Sequence, residues 1–448
     1  MLLYSFVFVI VFLIVSISIA LLIIKTKSFF WSAISALLSP IQLHTFSVLS
    51  IYPSLSFLMG LFSVKSIFQI KNYNFFWLKS LIFLEVYRVV SISWSPNPIL
   101  GIREIVYEMG FIFVLLSFSD KNISLKVKEK IITYTLGLAS LNAIFVIIFR
   151  VYPPLEFTFL HSYYATFFIS PNVLTGLFGL NVNNVLDPTK AGGFFVNANI
   201  SAAYIGLSSM GSIYFGKAFK SRFLILNGIF LWVAVFFTGS KAASIVAIFL
   251  PIFVTYVNLF AVKGLTLKNL TIIFWFTIFV TFFGFVFKFL LEDSSFLNQT
   301  SSTLQTRFII WEFAWSSFVK SPILGLGFGG WENGMASYAF LNGFRGVLPA
   351  HNAFLILWSQ SGFIAALLGL IFLISFTSTI IKQMKFATGN RVFVLKGIFS
   401  GFLWVAIQAM GENFGLIGEP HISPLLAMLI GYAISINSFD MPSRTING

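Results

Sequence analysis

The chain has 448 residues, 58% of them hydrophobic and only 9% charged, with a mean hydropathy of +0.93. A soluble domain, with about 25% charged residues, is excluded because so few polar side chains cannot cover a core of this size. The formal net charge is +14 and there is no cysteine, which removes disulfides, thiol chemistry and cysteine metal sites.

Apolar blocks of about 20 residues recur, the length that crosses about 30 Å of hydrocarbon as helix. The first, 2–24, lacks a charged leader and a small-residue cleavage site, and it reads as a retained helix rather than a signal peptide. Blocks at 29–46 and 50–70 contain Pro40, His44 and Pro53, so one of the two is expected to be broken or tilted. Further spans are predicted at 75–93, 98–118, 131–150, 194–215, 222–239, 241–260, 270–290, 351–380, 392–411 and 421–437. The fold class is all-α, a polytopic transmembrane helix bundle of 12 or 13 spans. Twelve is preferred because both termini then lie on one side. No linker or internal repeat divides the chain, which reads as a single integral membrane domain over 1–448.

Basic residues gather between spans: Lys121, Lys126, Lys128 and Lys130; Lys217, Lys220 and Arg222; Lys263 and Lys268; Lys382, Lys385 and Arg391. The positive-inside rule assigns all four groups to the cytoplasm, where they orient helices and touch anionic membrane lipids. That account makes nucleic acid an unneeded partner for the net charge. The same count puts 151–193, 291–350 and 412–420 outside. The stretch 291–350 is long for a connector and carries helical patterning from Arg307 to Val319. Ile309, Ile310, Phe313 and Phe318 would lie against the membrane or the bundle mouth. Glycines 325, 327, 329 and 330 then allow tight backbone turns.

Three groups are expected to meet on the outer side. Lys241 begins a largely apolar span after Gly239 and Ser240. It either snorkels to the head groups or binds an anion with help from the helix N-terminus. Arg307 shares a helix face with Trp311. The pair is either an interfacial anchor or a guanidinium fork for a diphosphate. His351, beside Asn352, is either a helix-start histidine held by a carbonyl or a base toward a sugar hydroxyl. Asn197 and Asn199 either cap a helix or point amides at a sugar. Glu412, Glu419 and His421 line the last outer stretch, where a carboxylate could orient His351 or bind hydroxyls. Glu85 with Arg88, and Arg103 with Glu104, are the best candidates for ion coupling in a transporter or flippase. For Glu85 and Arg88, pairing that stabilises the bundle is the preferred account. No metal-ligand spacing, P-loop or Rossmann signature is present, and no cofactor is expected.

Several ordered pieces carry a family pattern. Gly193-Phe194-Phe195-Val196-Asn197-Ala198-Asn199 looks like a G-x-F-x-N-x-N start to a mid-chain span. Thr238-Gly239-Ser240-Lys241 looks like T-G-S-R with lysine for the commoner arginine. Arg307 with Trp311, then Ser321-Pro322-Ile323-Leu324-Gly325-Leu326-Gly327, looks like R-x-x-x-W followed by S-P-x-x-G-x-G, and His351-Asn352 with Gly362 completes the series. In these the chain resembles the bacterial O-antigen polymerase and O-antigen ligase superfamily of membrane glycosyltransferases, most closely over 190–365. Lysine at 241 keeps the charge and loses the planar fork. Ala365 stands where ligases often have a second glycine.

The resemblance implies a GT-C-like fold in the bacterial inner membrane, with a periplasmic active site and a large, partly helical periplasmic loop over 291–350. It implies inverting, metal-independent transfer of a glycan from undecaprenyl diphosphate. The acceptor is another lipid-linked repeat unit in a polymerase, or lipid A-core in a ligase, and polymerase is the preferred reading. A chain-length regulator in the membrane is a candidate partner. The catalytic residues implied are His351, Arg307 and Lys241. The substrate-binding residues implied are Asn197, Asn199, Ser240, Trp311, Asn352, Arg345 and Glu412.

Overall fold

A computed structural model describes residues 27–44, 53–177, 187–259, 296–341, 350–412 and 414–436, with isolated positions between 266 and 278. The expected span 2–24, most of 270–290, Lys263, Lys268 and Arg345 lie outside the described residues. Among the described residues every regular element is a helix.

The first two predicted spans are shorter than expected. Helix α1 (Ser28–Leu38) has 11 residues and α2 (Leu55–Phe62) has 8. At 1.5 Å per residue each covers about half of the hydrocarbon or less. The chain stops α1 at Ser39-Pro40 and turns through Gln42 and Leu43, both at positive φ. The two short helices then dock on each other, Ser56 donating its hydroxyl to the Ser35 carbonyl at 2.9 Å. Residues 64–72 continue as 3-10 helix, so the expected span 50–70 is broken at Ser63.

The later helices longer than eight residues mostly fall on the predicted apolar blocks, except two, Phe296–Lys320 and Trp331–Leu341, which lie in the expected outer stretch 291–350. They are α3 (Phe76–Ser91), α4 (Pro98–Ser119), α5 (Leu125–Val151), α6 (Ala198–Ala218), α7 (Arg222–Phe237), α8 (Lys241–Val257), α9 (Phe296–Lys320), α10 (Trp331–Leu341), α11 (Ala353–Phe386), α12 (Asn390–Ala409) and α13 (Ser423–Ser435). By length and composition α5, α11 and α12 can each cross a membrane. Helix α9 begins eleven positions before Arg307, so that arginine sits in mid-helix and not at a helix start.

Side-chain pairs set the direction of packing. Along α6 and α12, Phe215 meets Gly397, Leu207 meets Gly401, and Asn199 meets Gln408, an antiparallel order. A Cβ on Gly206 would collide with the fully buried Trp404 indole, so glycine is what lets the two helices close on that ring. Along α5, Leu136 meets Gly211 and Asn142 meets Ser201, again antiparallel to α6. The Tyr432 hydroxyl of α13 donates to Glu129 near the start of α5. The basic turns 119–125, 217–222 and 386–391 therefore share one end of the bundle. The turns 187–197, 238–241 and 410–422 share the other.

Helix α11 is bent where the sequence reads as one span. Gly362 has φ 73 and ψ −169 inside it, and a Cβ on Gly369 would sit 2.7 Å from Leu357. Positions twelve apart in a straight helix stand about 18 Å apart. The segment 353–361 thus folds back on the start of 363–386. The glycine-rich run threads this elbow: Leu326 N–H donates to Ser359 O at 2.9 Å, Gly327 N–H to Gln360 O at 2.8 Å, and Gly329 N–H to Gln360 Oε1 at 2.6 Å. Gly325, Gly327 and Gly329 all have positive φ, and a Cβ at 325 would lie 2.5 Å from the Gln360 carbonyl. Only glycine fits such a thread.

Candidate active site

The site is built from four turns and one helix at the end opposite the basic turns. Residues 187–191 form an Asx turn, the Asp187 carboxylate accepting from Thr189 N–H and Oγ1 at 2.9 and 2.6 Å. The turn is pinned to the next one by Ala191 N–H donating to Thr238 O at 3.1 Å. Gly239, at φ 71, faces the Thr189 carbonyl where no Cβ would fit. Ser240 then caps α8, accepting from Ala243 N–H at 3.4 Å. Lys241 and Ala242 open that helix. A Cβ on Gly411 would stand 3.9 Å from both Ala242 Cβ and Arg307 Nη1, so the start of α8, the end of α12 and the middle of α9 meet at one point.

Glu412 follows that glycine and is buried. Its Oε2 accepts from Asn199 Nδ2 at 2.5 Å. Burial pushes its carboxyl up to about 7, against the opposing pull of the Arg307 and Lys190 cations and the Asn199 donor. His351 sits at φ 47, an uncommon backbone state for a non-glycine residue. Burial first, then the charges of Arg307 and Lys190, hold its imidazole down to about 4. The ring is neutral at pH 7 and can accept a proton. Arg307, Lys190, Glu412 and His351 thus form one electrostatic group.

Three buried polar atoms of predicted residues, Arg307 Nε, Trp311 Nε1 and His351 Nδ1, have no hydrogen-bond partner among the described residues. Leaving such a group unpaired costs about 1–3 kcal/mol, and three together suit an oxygen-rich ligand.

Other predicted residues use their polar atoms locally. Asn197 caps α6, its Oδ1 accepting from Asn199 N–H and Ile200 N–H at 2.9 and 3.3 Å. Asn352 caps α11, accepting from Phe354 N–H and Leu355 N–H, both at 3.0 Å. Val196, just before the first cap, is a buried β-branched residue at φ 62, a strained state. That kink delays α6 to residue 198, later than the predicted start at 194, and turns Asn199 toward Glu412. His421 is engaged by other groups: its Nδ1 meets Glu419 Oε1 at 2.6 Å and its ring packs on Phe195. Arg88 binds Glu85 on its own helix and Glu108 on α4, so the cross-helix partner is a residue the spacing did not single out.

Lys190 was not among the sequence candidates. The available signal was the turn-forming Asp187-Pro188-Thr189-Lys190 ahead of Gly192-Gly193. Nothing in a linear reading brings it beside Arg307.

A cavity of about 600 Å³ begins at Ala350, Asn352 and Glu412, and runs between α3, α4, α11 and the 410–420 turn. Arg307, Lys190 and Lys241 are not among the residues that line it.

No curated protein matches the chain. Residues 226–370 match the family model described as O-antigen ligase, a stretch that holds Lys241, Arg307, Trp311, His351 and Asn352. With that match across the motif-bearing segment, the chain resembles the O-antigen polymerase and ligase superfamily, whose members are glycosyltransferase-like enzymes acting on lipid-linked glycans.

Proposed function

We propose that the chain is a membrane glycosyltransferase that polymerises undecaprenyl-diphosphate-linked repeat units into O-antigen or a related surface polysaccharide. The observation that carries this reading is the meeting of Arg307, Lys190 and the start of α8 at Gly411 and Glu412, beside a neutral His351. In the reaction an acceptor hydroxyl attacks the anomeric carbon of the donor. The bond from that carbon to the phosphate oxygen breaks, and its electron pair leaves with the diphosphate. The hydroxyl proton passes to His351 and then to solvent.

Each group has a task that its surroundings suit. Arg307 and Lys190, with Lys241 at the helix start, offset negative charge that grows on the leaving diphosphate. His351 orients the hydroxyl and takes its proton. An imidazole held near 4 is a weak base. A bound diphosphate would offset the two cations that help to depress it, so the base strengthens when the donor is loaded. Glu412, half ionised near pH 7, either yields the cations to the diphosphate or accepts from a sugar hydroxyl.

Location follows from charge. The candidate site lies at the end of the bundle opposite the basic turns, and the positive-inside rule then favours a periplasmic site in the inner membrane.

The test is acceptor choice. The purified chain in nanodiscs, given defined lipid-linked repeat units alone, should give a ladder of lengths. A ligase would leave the units unextended and transfer them to added lipid A-core. That second reading is favoured by the printed description of the matching family. Failure of both transfers would end the glycosyltransferase reading.

A further inference from the structure

The cavity beyond Asn352 is not needed to hold a diphosphate. Its polar lining is dominated by carboxylates, Glu85, Glu104, Glu108, Glu332, Glu412 and Glu419, against two arginines. The arginines offset part of that charge, and four carboxylates in the lining have no ion pair with Arg88. Arg88 is committed to Glu85 and Glu108, with its guanidinium 3.9 Å from the Phe328 ring centre. Arg103 is exposed at the rim. Aromatic surface from Tyr107 and Trp331 completes the polar end, and Leu81 and Phe372 close the apolar end.

Two atoms point to a ligand. Glu108 is 6% exposed, yet its Oε2 has no hydrogen-bond partner among the described residues. Arg88 Nε is likewise buried and unpartnered. The acceptor oxygen and the donor N–H belong to the two partners of one ion pair, Arg88 with Glu108, and such a pair suits the hydroxyls of a sugar ring, which both donate and accept. The cavity volume falls in the range of about 300–1,000 Å³ for ligand sites. Two of its lining residues, Ala350 and Asn352, flank His351, the group expected to take the hydroxyl proton.

We infer that this cavity is the acceptor subsite, binding a hydroxyl-rich sugar that is uncharged or carries an amine and excluding one that carries a carboxylate. Charge then sorts the two substrates: the diphosphate goes to the cations around Arg307, and the acceptor sugar to the carboxylate-lined side of His351. The inference rests on the donor reading proposed above.

The test uses the full chain in nanodiscs and three trisaccharides of similar size: N-acetylchitotriose (neutral), the chitosan trisaccharide (cationic) and trigalacturonate (anionic). Binding is read by saturation-transfer NMR, and farnesyl diphosphate probes the donor side separately. The neutral and cationic sugars should bind and the anionic one should not. Glu108→Gln should weaken sugar binding at least fivefold. Glu332→Ala, at an exposed position in the first turn of α10, should do the same. Arg307→Ala should abolish farnesyl diphosphate binding and leave sugar binding unchanged. Equal binding of trigalacturonate, or sugar binding indifferent to Glu332→Ala, overturns the inference. Farnesyl diphosphate binding with no sugar binding overturns it too, while leaving the proposed function standing. Loss of both in the wild type removes the donor reading as well.

Discussion

Asn199 and Glu412 stand 213 positions apart in the chain, yet amide nitrogen and carboxylate oxygen meet at 2.5 Å. The contact is the outer link of a relay. Trp404 Nε1 donates to Gln408 Oε1 at 3.1 Å, and Gln408 Nε2 donates to the Asn199 carbonyl at 2.9 Å. The relay runs from the packed centre of α6 and α12 to the candidate site, so the carboxylate is aimed by the core. Removing its outer link should therefore be felt in stability. Asn199→Ala leaves a buried carboxyl without its donor, and the expected loss is about 1–3 kcal/mol. It should also push the Glu412 carboxyl further above 7, because a donor to the ionised form is gone. Chemical denaturation in detergent measures the first effect and carboxyl infrared titration the second.

Arg307 and Lys190 should act on rate and on His351 together. Arg307→Ala is expected to lower turnover at least a hundredfold, the scale of about 2.7 kcal/mol lost when one oxyanion donor is removed. Lys190→Ala should lower it at least tenfold. In both variants the acidic limb of the pH–rate profile should move upward from about 4, since a positive neighbour that depresses the imidazole has gone. Profiles of kcat/KM against pH, which report the free enzyme, check this. A limb that stays put would separate His351 from both cations.

Two opposite pH slopes should meet in stability. Between pH 4 and 6.5 the unfolded chain binds a proton at residue 351 that the folded chain does not, so this term raises stability as pH rises. Between pH 4.5 and 7 the folded chain holds a proton on Glu412 that the unfolded chain releases, so this term lowers stability as pH rises. Relative to the wild type, His351→Gln should lose stability more steeply with rising pH over 4.5–6.5. Glu412→Gln should gain stability more steeply over the same window. Thermal melts across pH 4–7.5 read both.

Gly362→Ala should be severe without touching the candidate site. A Cβ there collides with the Ile323 carbonyl, and φ 73 is unfavourable to alanine. Straightening the elbow would pull Gln360 from Gly327 and Gly329. The expected result is a melting temperature lowered by several degrees and loss of turnover, with Gly369→Ala, which meets only the Leu357 side chain, much milder.

Helix identity and most boundaries were legible in the chain because lipid-length apolar blocks need no partner to be recognised. One cap was legible too, Asn197, whose residue type accepts from free N–H groups; the capping by Ser240 and Asn352, which the resemblance makes substrate-binding residues, emerged only in the structure. The break in 351–380 was not, since apolar residues run unbroken through Gly362 and the cause of the bend is a carbonyl from residue 323. The shortness of α1 and α2 was signalled by Pro40 and Pro53, but their docking depends on Ser35 meeting Ser56. The sequence by itself determined that an oily helical bundle carries a few ordered cations and a histidine. Only the tertiary structure decided which of them face one another, and it added Lys190 and Gln408 to the group. The physical reason is that hydrophobic periodicity is a local property of the chain, whereas charge acts through space. A lysine, an arginine and a carboxylate more than a hundred residues apart acquire a shared chemistry only when helix packing brings them within reach.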